Sequence, residues 1–123
     1  MSLTVVDASA LAAVVFNEPA AAQVHQQLQD TLLVAPRLLA YELTNTAWRK
    51  IRQHPDQAAA LAQALARALS SDFAITWADV EFEEVLPLAL EKGLTAYDAS
   101  YLWLARHINA VLVTLDETLS AAT

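Results

Sequence analysis

Apolar positions fall into two kinds of segment that alternate along the chain. Thr4-Val5-Val6 is a short β-branched run ending at Asp7. From Ala8 the apolar residues return at helical spacing, through Leu11, Val14 and Val15, until Asn17-Glu18-Pro19 interrupts them. The helical pattern resumes from Ala20 through Val24 and Leu28. Leu32-Leu33-Val34 then reads as a second buried strand, closed by Ala35-Pro36. A helix from about Arg37 to Gln53 carries Leu39, Leu43, Thr46, Ala47 and Ile51 on one face. Pro55 suits the first turn of an Ala-rich helix that runs to about Leu69.

Phe73-Ala74-Ile75-Thr76-Trp77 reads as a third strand. Asp79 is placed to N-cap the next helix, with Glu81, Glu83 and Glu84 at the positive end of its dipole. Pro87 is expected to kink or interrupt that helix, and Gly93 to end it. Thr95 opens a helix through Tyr101, Leu102, Leu104 and Ala105. Ala110-Val111-Leu112-Val113-Thr114 is the fourth strand, and Asp116 begins a last short helix. Strands that are apolar on both faces and alternate with helices predict a parallel sheet of about four strands covered by helices, an α/β sandwich. Residues 1–123 are read as one domain with no repeats or linkers.

Composition removes several kinds of chemistry. The chain has no Cys, so disulfides, thiolate metal sites and cysteine nucleophiles are excluded. Its single glycine, Gly93, excludes phosphate-cradling loops and nucleophile elbows that need two or more. No apolar run reaches membrane-spanning length, and no basic segment followed by an apolar stretch opens the sequence, so a cytoplasmic protein is expected. The formal net charge of −7 argues against broad electrostatic attraction to nucleic acid. It leaves room for an enzyme that bridges acidic groups to phosphate through metal ions.

Ligands of open α/β sheets bind beyond the carboxyl ends of the strands. Two strands end in an acid, at Asp7 and at Asp116. Two further acids, Glu42 and Asp98, fall in the first turns of helices that begin at the same rim. Clustered carboxylates repel one another unless a cation neutralises them, and Mg²⁺ and Mn²⁺ prefer such hard oxygen donors. An ion held there can activate a water and stabilise charge on a phosphoryl group. Each acid also has an ordinary reading. Asp7 and Asp116 suit helix caps, Thr95-Ala96-Tyr97-Asp98 suits a capping box, and Glu42 suits an exposed helix position.

The residues around these acids resemble the PIN-domain ribonucleases, specifically the VapC-type toxins of type II toxin–antitoxin systems. The matching text is Val6-Asp7-Ala8-Ser9-Ala10-Leu11, then Ala35-Pro36 followed by Tyr41-Glu42-Leu43-Thr44-Asn45-Thr46-Ala47-Trp48-Arg49. Gly93-Leu94-Thr95-Ala96-Tyr97-Asp98-Ala99-Ser100-Tyr101-Leu102 and Leu112-Val113-Thr114-Leu115-Asp116-Glu117-Thr118-Leu119 complete it in the same order. The resemblance implies a PIN-like three-layer fold and a Mg²⁺- or Mn²⁺-dependent endoribonuclease. It further implies a homodimer and a cognate antitoxin that blocks the acidic groove. Carried over by position, Asp7, Glu42, Asp98 and Asp116 would be the catalytic and metal-binding acids, with Ser9, Asn45 and Thr114 supporting them. Many members continue into a further edge strand, whereas this sequence stops soon after Leu119.

Other residues add less. Arg49, Lys50 and Arg52 form the only basic cluster, read either as partners of the helix C-terminus or as a patch that positions RNA. His25, His54 and His107 flank no nucleophile, and the tyrosines and tryptophans read chiefly as core or dimer contacts. Two alternatives stay open: a non-catalytic PIN-like binding or scaffold module whose acids serve as caps, and a metal-dependent phosphatase.

Overall fold

The computed structural model describes residues 2–123. Strand β1 (Ser2–Val6) leads through Asp7 into α1 (Ala8–Val15), and α2 (Ala21–Leu28) follows. Then come β2 (Thr31–Pro36) and the long α3 (Leu38–Gln53). A 3-10 turn (Pro55–Gln57) precedes α4 (Ala58–Arg67), which widens into a π-helical stretch over Ala68–Asp72. Next are β3 (Thr76–Ala78), α5 (Phe82–Lys92) and α6 (Ala96–His107). The described chain closes with β4 (Val111–Val113) and α7 (Glu117–Ala122).

All strand pairs are parallel, in the order β3-β2-β1-β4. β1 is therefore central, and its Thr4, Val5 and Val6 are buried, as a strand covered on both faces requires. Val5 pairs with Val34 of β2 on one side, and Val6 with Val113 of β4 on the other. α6 lies across β1, β2 and β4 with α5 and α7 packed against it, while α1 packs on α2 and α3. Along α3, Leu39, Leu43 and Ala47 recur every four residues and are the buried positions. Seven helices flanking a four-stranded parallel sheet give the α/β layers expected from the alternation of strands and helices.

The helix ends show how a chain with one glycine turns its corners. Gly93 ends α5 at φ 66°, where its amide donates to the Ala89 carbonyl. After α1, α2 and α6 the same left-handed conformation falls to Asn17, Asp30 and Asn109, at φ 53°, 60° and 55°. Asn and Asp are the residues that tolerate it best after glycine.

Three local expectations need correction. The third strand covers Thr76–Ala78 rather than starting at Phe73, because Ala74 adopts φ 47° and breaks the extended path. Asp79 does not cap α5. The helix starts at Phe82, Glu81 occupies the cap position without a side-chain bond, and Asp79 lies too far upstream to reach the free amides. Of the kink or interruption expected at Pro87, the interruption does not occur, since α5 runs on through it to Lys92. Pro87 and Glu83 are both exposed, so water can satisfy the carbonyl that the proline leaves without a donor.

Candidate active site

The strand order reverses between β1 and β4. Chain growth runs outward from β1 to β2 and β3, then returns to the other side of β1. Such a switch point opens a crevice at the carboxyl ends of the two strands. Asp7 follows β1 directly, and its amide donates to Val113 O of β4 at 3.2 Å. Asp116 comes just after β4 and N-caps α7 through a 2.8 Å bond from Leu119 N. Two acids from opposite ends of the sequence are thus brought to one rim.

Asp7 is 4% exposed and held from three sides. Ala10 N, in the first turn of α1, donates to Oδ1 at 3.0 Å. Ser9 Oγ donates to the same oxygen at 2.7 Å, and Thr114 Oγ1 donates to Oδ2 at 2.5 Å. Both hydroxyl oxygens accept in turn from the backbone beyond β4, Ser9 from Leu115 N at 2.9 Å and Thr114 from Asp116 N at 3.0 Å. Ser9 and Thr114 therefore do two things at once. They satisfy a buried carboxylate, and they tie the start of α1 to the loop after β4. Asn45 is exposed on α3 and lines the groove beside Glu42.

Glu42 enters from α3 and Asp98 from the first turn of α6. Tyr101 OH donates to Glu42 Oε1 at 2.6 Å. This tyrosine is 1% exposed, and its place in the site was missed when it was read as a core contact. The available signal was its spacing, one helical turn after Asp98 on the same face of α6. Thr95 caps α6 by accepting from Asp98 N at 3.1 Å. The expected capping box is only half made. Among the described residues Asp98 returns no bond to Thr95, so its carboxylate is not committed to the cap.

Burial lifts the affinity of three of these acids for protons. Desolvation raises Asp7 most, with the bonds from Thr114, Ala10 and Ser9 opposing it and Asp116 adding repulsion. Glu42 is raised by burial, offset by the Tyr101 bond, and pushed further by Asp98 and Asp7. Asp98 is raised by burial and then by Asp116 and Asp7. Asp7 and Asp98 thus feel the charge of Asp116, and Glu42 feels that of Asp98 and Asp7. Among the described residues, however, no three Asp, Glu or His side chains stand close enough as placed to hold one ion. The donor set is all carboxylate oxygen, which fits an oxygen-seeking divalent cation.

These shifts have a consequence for the metal-free protein. A carboxylate whose folded pKa is raised contributes stability that is fully present below its unfolded pKa and is lost as pH rises through its folded one. In EDTA, the advantage of Asp98→Asn over the parent protein is expected to grow from mildly acidic to neutral pH. A neutral-pH rise in Tm of roughly 1–4 °C is expected, kept small by partial solvent screening. Melting curves across pH read this directly, and a gap that shrinks with rising pH would contradict the shared repulsion.

A family model described as the PIN domain matches residues 4–123. The chain belongs to the PIN-domain family. Among its curated relatives, Exonuclease VapC9 of Pyrobaculum aerophilum is 41% identical over 86 residues, covering 70% of this chain and 63% of VapC9. The match therefore spans less than two thirds of that relative's length. Ribonuclease VapC3 of the same organism is 34% identical over 120 residues, covering 94% of this chain and 91% of VapC3. A crystal structure of PAE2754 from Pyrobaculum aerophilum superposes with a TM-score of 0.78 at 35% identity, covering 99% of this PIN-domain chain and 86% of that one.

Proposed function

We propose that this PIN-domain chain is a Mg²⁺- or Mn²⁺-dependent endoribonuclease of the VapC toxin type that hydrolyses RNA phosphodiester bonds. The observation that supports the reading is that Asp7 and Asp98 feel the charge of Asp116, and Glu42 that of Asp98 and Asp7, at the β1–β4 switch point, with Asp7 buried and braced by Ser9 and Thr114. Relatives named as a ribonuclease and an exonuclease support the coarser part of it, a nuclease.

Asp7, Asp98 and Asp116 would hold the cation, with Glu42 as a further ligand or as the group that orients water. Bound there, the ion would supply Lewis acidity toward a phosphoryl oxygen and a lowered pKa for water. The chain's own groups do the rest. Ser9 and Thr114 hold the Asp7 carboxylate in one orientation. Tyr101 fixes one oxygen of Glu42 and leaves the other for water. In-line hydrolysis leaves a 5′-phosphate and a 3′-hydroxyl.

The same reading includes a cognate antitoxin covering the groove, a homodimer and a cytoplasmic place of action. Exposed Tyr41, Trp48, Tyr97 and, on α5, Phe82, Leu86 and Leu90 supply apolar surface for protein contacts. No helix among the described residues is long and apolar enough to cross a membrane.

The cap bonds favour one other reading, a binding module whose acids serve only the fold. Asp7 accepts from Ala10 N and Asp116 from Leu119 N, as ordinary N-caps do. Titration with Mn²⁺ separates the two. A site that binds only the folded state adds about 2.7 kcal/mol at a hundredfold excess over Kd, and so several degrees of Tm. The nuclease reading expects that rise together with cutting of RNA to 5′-phosphorylated ends. No rise at millimolar Mn²⁺ and no cutting would leave the module.

A further inference from the structure

The three basic residues near the end of α3 have different neighbours. Lys50 Nζ is 2.6 Å from Glu18 Oε2 and lies over the Phe16 ring, so its charge is already engaged. The Arg52 guanidinium sits over Trp48, 5.1 Å from the ring centroid. Arg49 has no carboxylate partner among the described residues. Its side-chain bond is a long one, to Thr46 Oγ1 at 3.4 Å.

Arg49 also differs in where it faces. It is exposed and lines a cavity of about 540 Å³ between α1 and α3, whose other walls include Ser9, Glu42, Asn45 and Leu115. Ser9 and Glu42 belong to the acidic site, so this cavity opens directly off it; Glu18, which also lines the cavity, is paired with Lys50. Arg49 lies seven residues beyond Glu42, two helical turns along the same face, a rise of about 10 Å. A guanidinium at that distance is placed for a neighbouring phosphate rather than the one beside the acids. A chain with a net charge of −7 offers a polyanion little general attraction, so a local cation in the groove matters more here than on a basic protein. Arginine's planar fork suits the role, because it binds phosphate oxygens in pairs.

We propose that Arg49 is a positioning residue that clamps a phosphate flanking the scissile one, holding the RNA strand along the groove between α1 and α3. The proposal rests on the endoribonuclease reading above. Of the basic trio it assigns the role to Arg49 alone.

The test compares Arg49→Gln, Arg49→Lys and Arg52→Gln on an oligoribonucleotide and on a dinucleotide with a single phosphate. On the oligonucleotide, Arg49→Gln is expected to raise KM about tenfold with kcat nearly unchanged. It is also expected to flatten the slope of log kcat/KM against log salt by about one unit. Arg49→Lys should restore most of that slope, and Arg52→Gln should leave both quantities at the parent values. On the dinucleotide, Arg49→Gln and the parent protein should be equal, because no flanking phosphate is present. An unchanged KM and salt slope on the oligonucleotide overturns the proposal. So does a fall in kcat alone, or an equal loss on the dinucleotide. Failure of the parent protein to cut any RNA sinks the endoribonuclease reading instead, whereas cutting that ignores Arg49 sinks only this assignment.

Discussion

Asp98→Asn is expected to lower RNA cleavage on the order of 100-fold or more while leaving the metal-free protein at least as stable as its parent. Asp98 gives the cleanest test among the four acids because the fold uses its backbone and not its charge. Thr95 accepts from Asp98 N, and that bond survives the substitution. The carboxylate takes no bond among the described residues, and it stands in repulsion with Asp116 and Asp7. Removing the charge therefore relieves that repulsion in the metal-free protein and, on the proposed reading, takes away an oxygen donor that the cation would use. Asp7 cannot separate these effects, since Ser9, Thr114 and Ala10 all donate to it. Initial rates on labelled RNA at saturating Mn²⁺, set beside melting in EDTA, read both halves. Parent-like cleavage would remove Asp98 from the active site, and a large loss of stability would show that the fold needs its charge.

The second large effect falls on the scaffold. Leu43→Ala should cost about 2–5 kcal/mol, a fall in Tm of roughly 10 °C or more. Leu43 is 0% exposed and sits between Leu39 and Ala47 on the buried stripe of α3. Its neighbour Glu42 turns the other way, towards Tyr101 and the groove. Well below its new Tm the variant keeps every group of the site, so its cleavage rate should fall less than about tenfold. Urea titration supplies the stability, and the rate measured at low temperature supplies the contrast. A cost below about 1 kcal/mol would mean that α3 is not anchored through this stripe.

Much of this was legible because helix ends and strand ends carry local chemical signals. Asp7, Thr95 and Asp116 sit where a short polar side chain can reach a free amide, and all three cap helices. Gly93 stops α5 for an equally local reason. The alternation of apolar runs with helical spacing was enough for a parallel sheet, and the strand ends placed two acids at its rim. What escaped depends on groups far apart in sequence or on a single dihedral angle. The Tyr101–Glu42 bond joins positions 59 residues apart. Lys50 could be separated from Arg49 only once α1 and α3 were packed and Glu18 came within 2.6 Å. Ala74 shifts the start of β3 by adopting a conformation that alanine seldom takes.

The strand order also sets when the site can exist. Of the four strands β1 is made first, yet the Asp7 that follows it is completed by β4 and the segment just after it, more than a hundred residues later. A ribosome-bound chain not yet extended past β4 has neither Thr114 to brace Asp7 nor Asp116 to stand beside it. Under the endoribonuclease reading, a growing polypeptide of this topology cannot cut RNA until β4 and Asp116 have been made.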